Sequence, residues 1–158
     1  MTRVGIGYDS HRFAAGRALI LGGQHIPHGE GLLGHSDADA VAHAVTDAIL
    51  GAAAAGDIGA HFPDSDPRWK DADSMDLLRR AVAVVRERGY RVAQADVTIV
   101  VERPKLAPYV AAMAAALGVA LGVPVDCVGV KAKTNEGMGF IGRGEGIAVM
   151  AVATLEAD

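Results

Sequence analysis

A chain of 158 residues with a formal net charge of −4 has room for one domain with a real core, and it lacks the concentrated basic surface that nucleic acid requires. A single cysteine, Cys127, excludes an intrachain disulfide and points to a reducing cytosol, while no apolar run reaches membrane-spanning length. The first residues enter a strand at once, without a basic and apolar leader, and no repeat or linker interrupts the rest, so a cytoplasmic protein with one catalytic domain over 1–158 is expected.

Val4 to Asp9 reads as the opening strand. If it continues to His11, the period of two puts Asp9 and His11 on the same face. A hairpin follows, with Ala18 to Leu21, a Gly22-Gly23 turn and Gln24 to Pro27; His25 and His28 at its end are expected at the surface. The next segment predicts a helix from about Asp37 to Ala54, capped by Ser36 or Asp37, with Val41, Val45, Ala48, Ile49 and Ala52 as its apolar stripe. His43 projects roughly 160° away from that stripe. His61 falls in the following loop and is expected to be solvated. A second helix spans Asp73 or Ser74 to Arg88, with Leu78, Ala81, Val82 and Val85 inward and Gly89 as the stop.

Val92 to Glu102 alternates as a strand, with Ala93, Ala95, Val97, Ile99 and Val101 on one face. A third helix runs from about Leu106 to Leu121, started near Pro108 and buried through Val110, Met113, Ala114, Leu117 and Leu121. Two strands close the chain, Val125 to Thr134, with Cys127 in the core, and Gly146 to Leu155. The last strand is apolar on both faces, Ile147, Val149, Ala151, Ala153 and Leu155 against Ala148, Met150 and Val152. One face can pack on helices, and the other needs cover that so short a chain cannot supply. The fold expected is an α/β chain of the α+β two-layer sandwich type. A mixed sheet packs on helices on one face and turns its other face toward a subunit interface.

Five of the six histidines lie in the first 43 residues. Taken alone, Asp9 and His11 read as an ion pair at a strand end. With His35 and His43 converging from other elements, a zinc site becomes the better reading, and three protein ligands leave a position open as catalytic sites do. His35 is either a ligand or a hydrogen-bond donor behind the ligands. Asp37 and Asp39 read as helix N-terminal carboxylates favoured by the macrodipole. Asp57-Ile58-Gly59 and Phe62-Pro63-Asp64-Ser65-Asp66 form a polar loop, either plain turn or a mobile loop whose carboxylates meet sugar hydroxyls. Lys131 to Gly137 combines two lysines, Thr134, Asn135 and Glu136 at a strand end, which suits a phosphate and a second divalent ion or else a solvated turn. The glycine-dense run Gly139 to Gly146 lacks the spacing of a P-loop or a Rossmann turn.

Six motifs in order carry a resemblance that covers essentially the whole chain: Gly7-Tyr8-Asp9-Ser10-His11-Arg12-Phe13, His35-Ser36-Asp37-Ala38-Asp39, Asp57-Ile58-Gly59, the Phe62 to Asp66 loop, Glu102-Arg103-Pro104-Lys105 and Gly139 to Gly146. Together they resemble the 2-C-methyl-D-erythritol 2,4-cyclodiphosphate synthases of the non-mevalonate isoprenoid pathway. The resemblance implies a phosphorus-oxygen lyase, assembled as a homotrimer with active sites between neighbouring subunits. It implies zinc on Asp9, His11 and His43, and magnesium or manganese on Glu136 at the substrate's diphosphate. His35 and Thr134 match positions that stabilise the transition state. Asp9, His11, His35 and Ser36, with Asp57, Ile58 and Gly59, match contacts to the substrate, which the Phe62 to Asp66 loop covers. Val101, Glu102, Arg103, Pro104, Lys105, Leu106 and Ala107 match the cytidine pocket, and Lys133, Thr134, Asn135 and Glu136 the diphosphate region. Lys133 and Asn135 stand where relatives often carry threonines. Phe140 and Arg143 complete the expected contacts, and Arg143 and Glu145 match residues near the trimer axis, where a cavity holds isoprenoid phosphates. Two rival readings are a metal-dependent phosphohydrolase and a trimeric isoprenoid-phosphate binding protein.

Overall fold

Alternating glycines in the first strand determine how the two layers meet. The computed structural model describes residues 1–158, and its β1 spans Arg3–Ala14, past His11 as expected. A Cβ at Gly5 would lie 2.1 Å from the Ala48 carbonyl oxygen, and one at Gly7 would lie 1.8 Å from that of Ala44. Helix α1 (Ala40–Ala52) therefore rests its backbone directly on the strand, which no other residue at those two positions permits. That close approach brings His43 down onto the end of β1.

The expected hairpin is present as β2 (Leu19–Leu21) and β3 (Gln24–Ile26), with Gly22 and Gly23 at φ 57° and 74°. The short β4 (Gly31–Leu32) pairs with the end of β1. After α1 come α2 (Ile58–His61), α3 (Ser74–Glu87), β5 (Tyr90–Val100), α4 (Val110–Leu121), β6 (Val128–Lys133), α5 (Gly139–Gly142) and β7 (Gly146–Ala157). The main sheet has the order β4-β1-β7-β5-β6, antiparallel except for the β5–β6 pair, whose connection contains α4. The sheet is mixed and one face carries the helices, as the sequence implies. No helix is long and apolar enough to cross a membrane.

On the helix side β7 buries Ile147, Val149, Ala151, Ala153 and Leu155, and β5 buries Ala95, Val97 and Ile99. On the other side Val4, Ile6, Tyr8, Met150 and Val152 are exposed, in rows that pair Ile6 with Val152 and Tyr8 with Met150. The expected apolar stripe of α1 is buried, and so are Ala40, Ala44 and Leu50 around the rest of the helix, because α1 is held between the sheet and α3.

Several local expectations are corrected. Asp39 caps α1, rather than Ser36 or Asp37, and its carboxylate accepts from Ala42 N at 3.0 Å, Gly22 N at 2.9 Å and Gly23 N at 2.7 Å. One buried side chain thus fastens the hairpin turn to the helix start. A bulge between Val92 and Gln94 turns Ala93 out of line and puts Val92 on the buried face instead. Val110 is only half-buried, since a 3-10 turn over Ala107–Tyr109 starts that helix. Cys127 closes another 3-10 turn, Val125–Cys127, outside the strand and half-buried. His61 ends α2 with Nε2 2.7 Å from the Ala55 carbonyl, so it is not freely solvated.

Burial pushes the Asp39 carboxyl up to about 6, with the nearby charge of Asp37 adding to the effect and the backbone donors from Ala42, Gly23 and Gly22 opposing it. A carboxyl raised above its unfolded value contributes stability at low pH and loses it as pH rises through about 6. Asp39→Asn, which cannot ionise, is expected to flatten the fall in melting temperature between the ordinary aspartate range and that point. Melts of both proteins across the interval check this, and parallel curves would show that Asp39 does not titrate there.

Candidate active site

Asp9 and His11 project from the helix side of β1, and His43 descends to meet them from α1. Asp9 Oδ2 lies 2.7 Å from His11 Nε2 and 3.1 Å from His43 Nδ1, and those two nitrogens are 3.3 Å apart. A tetrahedral ion with bonds of about 2.0–2.1 Å holds its ligands about 3.3 Å from one another, so the three atoms already stand close to a coordination triangle. The nitrogens turned away from that triangle are engaged. His11 Nδ1 faces the Leu33 carbonyl at 2.8 Å, and His43 Nε2 faces the Ser74 hydroxyl at 2.7 Å. Rings oriented by their outer nitrogens are the usual pattern of metal-binding histidines, and the donor set fits a divalent metal.

Burial by itself disfavours charge on either Asp9 or His11. Burial is the largest single influence on each, but their mutual hydrogen bond and charge attraction, joined by His43 on Asp9 and by the Leu33 carbonyl on His11, together outweigh it. The Asp9 carboxyl is therefore held below its usual range and the His11 imidazole above its own.

A cavity of about 350 Å³ opens beside the triangle, lined by His35, Ser36, Ile58, Gly59, Phe62, Pro63 and Asp64 as well as the three candidate ligands. Gly34, Trp69 and Leu77 also line it, and none of them was singled out from the sequence. His35 Nε2 donates toward the Asp66 carbonyl at 3.3 Å, which ties the start of the motif to the loop. The Asp57 carboxylate accepts from Ala60 N at 2.8 Å and caps α2. Asp47, another residue passed over, accepts from Ile58 N at 2.8 Å and fixes that turn against α1. Burial pushes the Asp47 carboxyl up, and the Asp57 and Asp9 charges add to it. Asp66 turns its side chain to Arg68 at 2.7 Å, and that hydrogen bond lowers its pKa; Ser65 is exposed.

Most of the other candidate residues lie apart from this cavity. Val101, Glu102, Pro104, Lys105, Leu106, Ala107, Lys133 and Thr134 line a separate cavity of about 220 Å³ at the ends of β5 and β6, which shares no residue with the first. Arg103 lines a third cavity with His28 and Arg143, whereas Phe140 shares a pocket with Ser10, His11 and Arg12 and so borders the candidate metal site from its other side. Glu102 accepts from Asn135 N at 3.2 Å and from Gly137 N at 2.6 Å, so the loop that carries Glu136 is built on it. Arg143 is paired with Glu145 at 2.9 Å.

The model of the YgbB family matches residues 2–156. The chain belongs to the YgbB family. It is 58% identical to the 2-C-methyl-D-erythritol 2,4-cyclodiphosphate synthase of Dechloromonas aromatica, over 98% of this chain and 96% of that one. It is 57% identical to the enzyme of the same name from Pseudomonas aeruginosa, over 98% and 99% of the two chains. Among solved structures, the bifunctional IspDF from Campylobacter jejuni matches with a TM-score of 0.96 and 42% identity over 100% of this chain, which spans 43% of that larger protein. A family structure described as the CDP-bound form of 2C-methyl-D-erythritol-2,4-cyclodiphosphate synthase matches with a TM-score of 0.89 and 42% identity, over 98% of this chain and 100% of its own.

Proposed function

We infer that this chain converts 4-diphosphocytidyl-2-C-methyl-D-erythritol 2-phosphate to 2-C-methyl-D-erythritol 2,4-cyclodiphosphate and CMP, in isoprenoid precursor biosynthesis. The observation that carries the reading is the Asp9, His11 and His43 triangle at the mouth of a loop-lined cavity, in a chain whose relatives of that name match it nearly end to end. In the reaction an oxygen of the substrate's own 2-phosphate bonds to the β-phosphorus. The bond from that phosphorus to the bridging oxygen breaks, and CMP leaves with the electron pair. The attacking phosphate is already anionic, so the chain need supply no base. Repulsion between anions and poor alignment are what hold the reaction back in water.

The residues answer both obstacles. Ile58 and Gly59, fixed by Asp47, and the Phe62 to Asp66 loop orient the sugar, while the backbone from Val101 to Ala107 takes the cytidine. Lys133 neutralises phosphate charge, and His35 and Thr134 donate to oxygens that gain charge as the bonds exchange. Asp9, His11 and His43 would hold zinc and Glu136 magnesium or manganese, and such ions would supply Lewis acidity toward the phosphate oxygens.

The two cavities lie apart in one chain, and a homotrimer answers this by bringing the β5–β6 cavity of one subunit to the metal triangle of its neighbour. Val4, Ile6, Tyr8, Met150 and Val152 form the apolar surface such an assembly would bury, and in this reading the Arg143–Glu145 pair would line an axial cavity suited to an isoprenoid phosphate. Val152→Asp is expected to break the trimer and with it turnover, because the charge costs little on a free surface and a great deal in a buried one. Mass in solution, measured beside activity, checks it; a trimer that persists with normal turnover removes this face as the interface.

Phosphorus NMR on the cytidyl substrate tests the reaction itself. A cyclic diphosphate with CMP is expected. A linear phosphate would make the chain a hydrolase, and binding of an isoprenoid phosphate without any turnover would make it a carrier.

A further inference from the structure

Behind the metal triangle lies a closed set of polar side chains that the reaction described above does not use. Ser74, fully buried at the start of α3, has its hydroxyl 2.7 Å from His43 Nε2 and also against Asp37 Oδ1. Ser36, also buried, has its hydroxyl 3.1 Å from His43 Nε2 and 3.3 Å from Ser74 Oγ. Asp37 takes further donors from the backbone, Ser74 N at 3.2 Å and Asp39 N at 3.1 Å. Ser36 Oγ accepts from Ala38 N at 3.2 Å.

The shortest contact at His43 Nε2, that to Ser74, selects one arrangement of protons. The Asp37 carboxylate is an acceptor, so the Ser74 hydroxyl proton points to it. Ser74 Oγ is then free only to accept, which places a proton on His43 Nε2. Ser36 gives its own proton to Ser74 Oγ while accepting from Ala38. When zinc takes the proton's place at Nδ1, the atom turned toward Asp9 and His11, Nε2 keeps the ring's one proton and Nδ1 is free to bind the ion.

We propose that Ser74 and Asp37 are positioning residues for metal binding, a carboxylate–hydroxyl–imidazole relay that fixes the ring and tautomer of His43 with Nδ1 presented to the ion. This extends the reading of Asp9, His11 and His43 as zinc ligands and rests on it. The relay also ties the metal site to α3. The segment from His35 to Asp39 is pinned to residues 71–74 through Asp71 N to His35 O at 2.8 Å and Asp37 N to Ala72 O at 3.0 Å, so the orientation of the ligand depends on a helix that contributes none.

The test is zinc affinity of the whole chain, measured by competition with a chromophoric chelator. Ser74→Ala is expected to weaken zinc binding about 10- to 100-fold, as loss of partners behind a ligand generally does, and Asp37→Ala is expected to act in the same direction. Ser74→Thr, which keeps the hydroxyl, is expected to restore most of the affinity. In zinc-loaded wild type, histidine-selective proton–nitrogen NMR is expected to show His43 protonated at Nε2, with a signal slow to exchange with water that Ser74→Ala loses. Melts of the zinc-free proteins separate affinity from folding, since a merely structural Ser74 lowers the melt and leaves the affinity of the folded fraction alone. Wild-type affinity in both alanine variants, or His43 protonated at Nδ1, overturns the relay. Zinc bound by wild type but indifferent to these changes leaves the ligand assignment standing, whereas no zinc in wild type overturns both.

Discussion

His43→Ala is expected to strip zinc from the chain and to lower cyclisation roughly 10³-fold, the scale of losing a main electrostatic contact to a developing anion. The fold is expected to survive at some cost. His43 stands off the apolar stripe of α1, which from the sequence suggests a cheap truncation. In the folded chain its side chain is only 12% exposed, and its loss leaves the hydroxyls of Ser36 and Ser74 without their imidazole partner. Leaving a buried polar group short of a partner costs about 1–3 kcal/mol. For a chain of this size that amounts to a melting temperature lower by several degrees. Elemental analysis for zinc, with melts of both proteins in excess chelator, separates the two effects. His11→Ala belongs in the same experiment, because its Nε2 is an equal corner of the triangle. Full zinc content in both variants would sink the site.

What could be read in advance follows from the range over which each signal acts. Asp9 and His11 are two residues apart on a strand, so the period alone puts them together. The doubly apolar β7 is likewise local, and its outer residues Met150 and Val152 do lie open beside Ile6 and Tyr8. The reach of His43 to that strand depends on α1 touching the backbone at Gly5 and Gly7. Alternate glycines in a strand do signal a close approach of another backbone, and that signal was there to be used.

Other features depend on contacts across the chain and leave no local trace. Ser36, Asp37 and Asp39 are equally good caps by residue type. The choice falls on Asp39 because the Gly22-Gly23 turn delivers two further donors to it. Asp37 is thereby released to bind the start of α3, and Ser74, read as an ordinary first helical residue, becomes the partner of a histidine 31 positions away. The bulge at Ala93 is invisible to an alternation count that runs straight through it. The separation of the two cavities is the plainest case, since a single sequence does not show which candidate residues meet within one chain and which lie apart in it.

Glu136→Ala is expected to lower turnover by roughly 10²- to 10³-fold while zinc content stays at the wild-type level. Glu136 is exposed on a loop held by Glu102, at φ 53°, and its carboxylate has no partner among the hydrogen bonds and ion pairs of the chain. Nothing in the folded chain needs that side chain, so its removal leaves the core and the Asp9, His11 and His43 triangle untouched. A free carboxylate beside Lys133 and Thr134, at the end of the strand that faces the proposed diphosphate, is best used as a ligand to magnesium or manganese. Those ions commonly bind through one or two carboxylates together with substrate phosphates. Without it the leaving CMP keeps its charge unneutralised, and the loss should fall on the chemical step rather than on zinc. Glu136→Gln distinguishes charge from shape, because it keeps the length of the side chain and the backbone demand of the turn. Both variants are expected to fail alike if the carboxylate binds the ion. Zinc per chain and CMP release, measured on the same preparations with and without added magnesium, decide the matter. If turnover persists with zinc as the only divalent ion, the two-metal mechanism is wrong and Glu136 is a turn residue.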